Sequence, residues 1–512
     1  MIKNILEYFE KTVVEVPEKT AVKEGEREIT FAALGQRAEG LAALLRRTWG
    51  GATRRPIAVF LPKSIACVVD DLGIVYSGNI YMNLDVKTPA QRIGNILELV
   101  QPLCVLTDEY HRAALSAVWP EDKTILVDGD IPDATPEEAA DIRRALEGII
   151  DTDPLCLINT SGSTGTPKSV VLNHRSFIDF TEWAIAATPL GTQEVIGSLS
   201  PCVFDIYSFE LCMMMAKAST IVVIPDTLAA FPARILQLLQ EESVTFLFWV
   251  PTIMVNIANM GLLDKVALPA LKMVWFAGEV FPTRQFNIWR RNLPQTIFIN
   301  LYGPIEITLD CTYFIVDRDI SDEEPIPIGF PCRNTDILIL NEQDQPVAAN
   351  EEGELCVRGS SLAMGYYNSP EKTAAAFVQN PLNKAYPELI YRTGDLVFHN
   401  DLGEIIFKGR KDTLVKHSGY RVELGEIEHV IVNTLQLVKN GCAVYDYEKK
   451  EIVFFYESEQ PLETAVLRRD IGKQLPRYMI PGRFVYMELL PRNTNGKIDR
   501  LRLKELGKNE IK

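Results

Sequence analysis

The chain has 512 residues, 47% of them hydrophobic and 23% charged, and a formal net charge of −16 at pH 7. That length exceeds one compact core, so two or more domains of ordinary globular composition are expected. The acidic balance argues against a nucleic-acid footprint or binding to an anionic membrane surface, while leaving room for one basic pocket.

In chain order, MIKNILEYFEKTVVEVPEKTAV predicts an amphipathic helix with Ile2, Leu6 and Phe9 on one face. It lacks the apolar core and cleavage site of a signal peptide, and no apolar run is long enough to span a bilayer. Between 55 and 340, the β-rich runs PIAVFL, PLCVLT, TIVVIP, VTFLFWV, LKMVWFAG and TIFINLYG alternate with helical patterns such as PARILQLLQEES and TRQFNIWRRNL. This is the texture of α/β layers. From about 334, TDILILNEQDQPV and EEGELCVRG predict an antiparallel sheet. GEIIFKGRKDTLVKHSGYRVELGEIE then predicts a hairpin leading into a helix at LGEIEHVIVNTL, and the remainder a small α+β unit. A boundary is expected at Lys411-Asp412, dividing the chain into 1–411 and 412–512. The nine cysteines form no CxxC pair and the five histidines do not cluster with them. This usage points to reduced thiols in a cytoplasmic protein, without a zinc site.

The stretch TSGSTGTPK at 160–168, followed by Ser169, nearly matches the P-loop pattern. Pro167 excludes a P-loop. That loop wraps phosphate in backbone N–H groups and conformations open to glycine, whereas proline has no N–H and a fixed φ. A P-loop also opens a helix, while Lys168 precedes the β-branched run SVVLNH. The expected geometry is strand, loop, strand, with hydroxyls and glycine N–H groups suited to phosphoryl oxygens. A polar surface turn is the alternative.

TSGSTGTPK is similar to the phosphate loop of the adenylate-forming superfamily, which includes acyl-CoA synthetases and amino-acid adenylation domains. Five further blocks resemble that family in the same order. They are FDIYSFE (204–210), NLYGPIEIT (300–308), YRTGD (391–395), GRKDTLVKHSGYRVELGEIE (409–428) and PRNTNGKID (491–499). The resemblance implies an α/β fold: a large N-terminal domain of layered mixed sheets with helices and a β-barrel-like subdomain, then a small mobile α+β domain. It also implies a two-step reaction in which a carboxylate joins ATP to give an acyl-adenylate and pyrophosphate, and the acyl group passes to a thiol. ATP and Mg²⁺ are the implied cofactors.

On this resemblance Lys497 bridges the carboxylate and α-phosphate, Glu306 holds Mg²⁺ and Thr164 lies near the β- and γ-phosphates. Thr160, Ser161, Gly162, Ser163, Gly165 and Lys168 complete the phosphate contacts. Asp395 fits the ribose hydroxyls and Arg410 the ribose and phosphate, with a turn ion pair as the alternative for both. Gly278, Glu279, Asn300, Tyr302 and Gly303 fall in segments around the nucleotide. Ile305 departs from the usual threonine, whose lost hydrogen bond is worth about 0.5–1.5 kcal/mol. Asp412 matches the hinge and Gly419 the pantetheine tunnel, where a narrow channel favours a residue without a side chain.

Asp205 matches the aspartate that amino-acid-activating members use to pair the substrate ammonium; a helix cap is the alternative. The family's pocket positions map to Ile206, Phe209, Phe248, Trp275, Ala277, Leu301, Leu309 and Asp310. Three bulky aromatics leave room for a small side chain. Asp310 among apolar groups calls for a donor, either from the substrate or from a protein group outside the pocket. The combination of Leu301, Leu309 and Asp310 resembles serine-activating pockets. The chain ends soon after the NGKID block, as freestanding D-alanine–carrier protein ligases do, which it also resembles in GEVFP and LPRYMIP. The expected function is activation of a small amino acid, serine or alanine, and its transfer to the phosphopantetheine of a separate carrier protein by a monomer. The basic segments RRD (468–470) and KIDRLRLK (497–504) are candidates for meeting an acidic carrier. An acyl-CoA ligase for a small carboxylic acid and a non-catalytic nucleotide-binding subunit are the alternatives.

Overall fold

The computed structural model describes residues 2–129, 131–160, 167–411, 414–458, 460–492 and 498–509. The apolar runs named above become the central strands of two large sheets. One has the order Gly365–Tyr366, Lys168–Asn173, Pro154–Thr160, Ile80–Asn83, Pro56–Phe60, Val105–Thr107, Thr124–Leu126. The other runs from Phe330–Pro331 through Thr312–Ile315, Ile297–Tyr302, Met273–Phe276, Phe246–Trp249, Val195–Ser198 and Thr220–Val223 to Thr20–Glu24 and Arg27–Thr30. Their inner pairs are parallel; antiparallel pairs close both ends of the nine-stranded sheet and the Gly365–Tyr366 end of the seven-stranded one, whose other edge pair is parallel. Strands such as Pro56–Phe60 and Phe246–Trp249 are buried along their whole length, which is why they read as unbroken apolar runs. One hydrophobic core joins both sheets through the helices Phe31–Thr48, Ile65–Tyr76 and Asp205–Lys217.

A five-stranded antiparallel sheet follows, from Thr335–Leu340 to Ile405–Arg410, and its register sets Asp395 opposite Arg410. After it come the hairpin Leu414–His417/Tyr420–Glu423 and a three-stranded sheet of Asn440–Asp446, Glu451–Glu457 and Arg483–Met487. Residues from Val415 onward bury their apolar side chains mainly among themselves. Two expectations shift locally. The first helix is Leu6–Glu15, so Ile2 lies before it. LGEIEHVIVNTL divides into a short α-helix, Leu424–Glu428, and a π-helical turn, His429–Thr434. Among the described residues no helix is long and apolar enough to cross a membrane, and all nine cysteines are free and buried.

Candidate active site

Where the two large sheets, the five-stranded sheet and the closing hairpin meet, a cavity of about 170 Å³ opens. Ile158, Asn159 and Thr160 form one wall, and Thr160 pairs with Lys168 across antiparallel strands, as strand–loop–strand geometry requires. Ser161, Gly162, Ser163, Thr164 and Gly165 themselves lie outside the described residues, as do Asp412 and Lys497. Thr160, Gly278, Gly303, Asp395 and Arg410 all line the cavity, and so do Asp205, Ile206, Ala277, Leu309, Asp310 and Gly419. Eleven positions scattered from 160 to 419 thus converge on one space.

Asp205 opens the helix Asp205–Lys217, and its Oδ2 accepts the Leu309 N–H at 2.9 Å. Burial pushes its pKa up to about 6, against the pull of N–H groups at Leu309, its own position and Ile206, and of the Lys416 ammonium. Asp310 is held well above the usual carboxylate range by burial and by Asp205, with Lys416 opposing. Thr308 and Leu309 precede it with φ of 55° and 64°. That left-handed backbone is unfavourable for a β-branched residue, and it turns the Leu309 N–H toward Asp205 while placing Asp310 on the cavity. Asp395 accepts from Arg410 Nη1 at 2.5 Å and from the Tyr302 hydroxyl, which leaves lone pairs for further donors.

The sequence pattern of AMP-binding enzymes matches residues 9–367. The chain belongs to that family. This AMP-binding enzyme is 31% identical to zwittermicin A synthase ZmaJ of Bacillus cereus, over 99% of the chain and 95% of the relative. It is also 31% identical to tyrocidine synthase 1 of Brevibacillus parabrevis, over 98% of the chain, and spans 45% of that protein. Of the delta-poly-L-ornithine synthetase of Acinetobacter baumannii, to which it is 30% identical over 98% of the chain, it spans 36%. In fold it resembles the Vibrio cholerae adenylation domain AlmE, solved with glycyl-adenosine-5'-phosphate (TM-score 0.85, 22% identity, 100% of this chain and 98% of the other). It also resembles PA1221, an NRPS protein with adenylation and PCP domains (TM-score 0.81, 22% identity, 98% and 84%). The chain is an adenylating, AMP-forming ligase of the nonribosomal-peptide-synthetase adenylation-domain type, and ATP is its nucleotide substrate.

Several expected contacts of this AMP-binding enzyme sit elsewhere. Asn300 donates to the Pro327 carbonyl at 2.7 Å and does not reach the cavity. Glu279 is engaged by Thr252 and, at 2.6 Å, by the Gly419 N–H, so it holds the hairpin rather than lining the cavity. Tyr302 meets the site through its hydroxyl on Asp395. Lys168 stands 5.0 Å from the Tyr366 ring centroid, behind the wall. Phe209, Phe248, Trp275 and Leu301 are buried and do not line the cavity. Phe209 stacks on Trp275 (5.4 Å, 14°) and Phe248 meets both edge-on, forming a plug beneath Asp205. Thr308 does not supply the hydroxyl missing at Ile305, since its Oγ1 is buried without a hydrogen-bond partner and the residue is away from the cavity.

The hairpin brings two cations that the sequence reading passed over. Ser418 and Gly419 both have positive φ (53° and 83°), a two-residue turn matched to strand twist. Its register sets Lys416 opposite Arg421, and both line the cavity. Like charges directly opposite repel, so this pairing needs carboxylates across the gap. Arg421 binds Glu306, whose other oxygen accepts the Tyr366 hydroxyl at 2.8 Å. Burial alone would raise the Glu306 pKa, but the Arg421 charge outweighs it and holds Glu306 below its ordinary value. Lys416 sits 5.6 Å from the Tyr302 ring centroid, its pKa lowered by burial while Asp395 and Asp310 oppose that fall. The signal was present: counted outward from the Ser-Gly turn, Lys416 and Arg421 are partners on one face.

A titration checks the Asp205 geometry. A protonated Asp205 has no charge to offer an ammonium, so KM for the amino acid should rise as pH falls through about 6, roughly tenfold per unit below it. KM for ATP measured over the same range should not follow that curve.

Proposed function

We propose that this enzyme activates a small amino acid as its aminoacyl-adenylate and transfers it to the phosphopantetheine thiol of a separate carrier protein. The observation that carries this reading is the pair Asp205 and Asp310 on one cavity with Asp395 and Arg410. Asp205 at pH 7 and above is the ionised partner for an α-ammonium, a contact that an acid without an amino group would leave unmade. Asp310, held above the usual carboxylate range by burial and by Asp205, stands on the same cavity as a hydrogen-bond partner for a hydroxyl on the substrate β-carbon. The aromatic plug leaves room for little else. Serine fits both carboxylates best, and alanine fits the space alone.

In the first step the substrate carboxylate attacks the α-phosphorus of ATP and pyrophosphate leaves. Lys497 would neutralise charge at the carboxylate and α-phosphate, with the 161–166 loop on the departing phosphates. Asp395 would accept the ribose hydroxyls and Arg410 would hold Asp395 in place. Glu306 already takes one donor on each oxygen, Arg421 and the Tyr366 hydroxyl, so Mg²⁺ held there with the ATP phosphates would share a carboxylate that keeps further lone pairs. Among the described residues no group of three or more His, Cys, Asp or Glu could hold a metal. In the second step the thiol attacks the adenylate carbonyl and AMP leaves. The position of the hairpin suits that step: Leu414, Lys416, Gly419, Tyr420 and Arg421 reach the cavity, whereas Arg492 and Ile498, on either side of Lys497, do not line it. We read 412–512 as a mobile lid turning about Asp412.

ATP–pyrophosphate exchange across L- and D-amino acids, followed by loading of a holo-carrier supplied in trans, tests this reading. Exchange with a small amino acid and label on the carrier are expected; turnover confined to acids lacking an α-amino group would overturn it. Asp310→Asn is expected to narrow the preference for serine over alanine about tenfold, read as the ratio of their kcat/KM values. An unchanged ratio would place Asp310 outside substrate recognition.

A further inference from the structure

The helix Ala90–Val100 of the large part and the helix Leu424–Glu428 of the small part meet at a buried ion pair. Arg92 binds Glu426, their side chains 8% and 0% exposed. The pair is not isolated. Tyr478, whose charge environment includes both Arg92 and Glu426, stacks on Tyr420 with ring centroids 3.7 Å apart and planes 9° from parallel. Tyr420 in turn meets Phe204 edge-on at 5.1 Å, and Phe204 immediately precedes Asp205. Arg92, Tyr478, Tyr420 and Phe204 all line the same cavity as Asp205, so the ion pair stands on the wall that carries the proposed amino-acid contact.

Two charges are taken out of water here, and the contact each makes with the other offsets part of that cost. The two partners come from opposite sides of the boundary near residue 412, so the pair exists only while the hairpin stands on the cavity. Separating the two parts breaks it and returns both groups to solvent, where a single ion pair contributes little. From this we infer that Arg92 and Glu426 are positioning residues of the thioester-forming step, acting as a latch that selects the arrangement in which Gly419 and Tyr420 face the thiol. Neither touches the reacting atoms; they act through the position of the hairpin. This inference rests on the two-step reading above.

The test uses the full-length enzyme, with exchange and transfer measured separately. Glu426→Gln keeps the side-chain shape and removes its charge. It is expected to leave ATP–pyrophosphate exchange within about twofold and to slow single-turnover transfer from preformed aminoacyl-adenylate to holo-carrier by about tenfold or more. In a double-mutant cycle, Arg92→Met combined with Glu426→Gln should slow transfer no further than the worse single variant, because the two act through one contact. Arg92→Lys, which keeps the charge with fewer donors, should fall between wild type and Arg92→Met. Unchanged transfer in Glu426→Gln would overturn the latch. So would multiplying effects in the cycle, or equal losses of exchange and transfer, since a merely structural contact gives either pattern. A wild-type enzyme that exchanges but loads no thiol overturns the two-step reading itself, and the latch with it.

Discussion

Lys497→Ala is expected to lower ATP–pyrophosphate exchange by two to four orders of magnitude while leaving transfer from supplied aminoacyl-adenylate within a few-fold of wild type. Removing one preorganised donor from a developing oxyanion typically costs ~10²–10³ in rate. A lysine that bridges two anionic reactants adds the loss of their charge neutralisation. Lys497 lies outside the described residues, so its role rests on the NGK block and on the geometry of its flanks. Arg492 and Ile498 bridge one another, and Ile498 packs with Leu490 and Leu503 in the core of the small part. The hairpin holding Lys416 and Arg421 takes the cavity face instead. A residue needed for one step only should separate the two assays. Equal loss of both steps would remove the case for alternating arrangements.

How much of this was legible in the sequence depends on the kind of feature. Buried parallel strands announce themselves because both faces are apolar, and PIAVFL, LKMVWFAG and TIFINLYG lie where they were expected. Pro167 excluded a helix-opening P-loop on local chemistry alone, and the strands on either side agree. Side-chain direction was less accessible. Asn300 and Leu301 are adjacent on one central strand, and the long-range packing that turns Asn300 toward Pro327 is not encoded in their spacing. The plug has the same origin: Trp183, on another helix, packs against Trp275, and Phe180 from the same helix packs against Phe209. That stacking decides which aromatics line the cavity and which only support it. Lys416 and Arg421 were recoverable from the hairpin register. Arg92 was not, since its partner Glu426 lies 334 residues away in sequence.

Asp205 is the position where one carboxylate is asked to do two separable jobs, and two substitutions can part them. It accepts the Leu309 N–H inside a turn where Thr308 and Leu309 both have positive φ, and it faces the cavity as the proposed ammonium partner. Asp205→Asn retains an oxygen for Leu309 and loses only the charge. Its kcat/KM for the amino acid should fall roughly 10–150-fold, the equivalent of a charged hydrogen bond worth about 1.5–3 kcal/mol. Its melting temperature should stay near that of wild type. Asp205→Ala removes both partners. It should match or exceed that kinetic loss and also lower stability by about 1–3 kcal/mol, because the Leu309 N–H is left buried and unpaired. In both variants KM for ATP should change far less than KM for the amino acid. A matched rise in the two constants would mean that Asp205 shapes the cavity without contacting the ammonium, and the helix-terminal reading would then suffice.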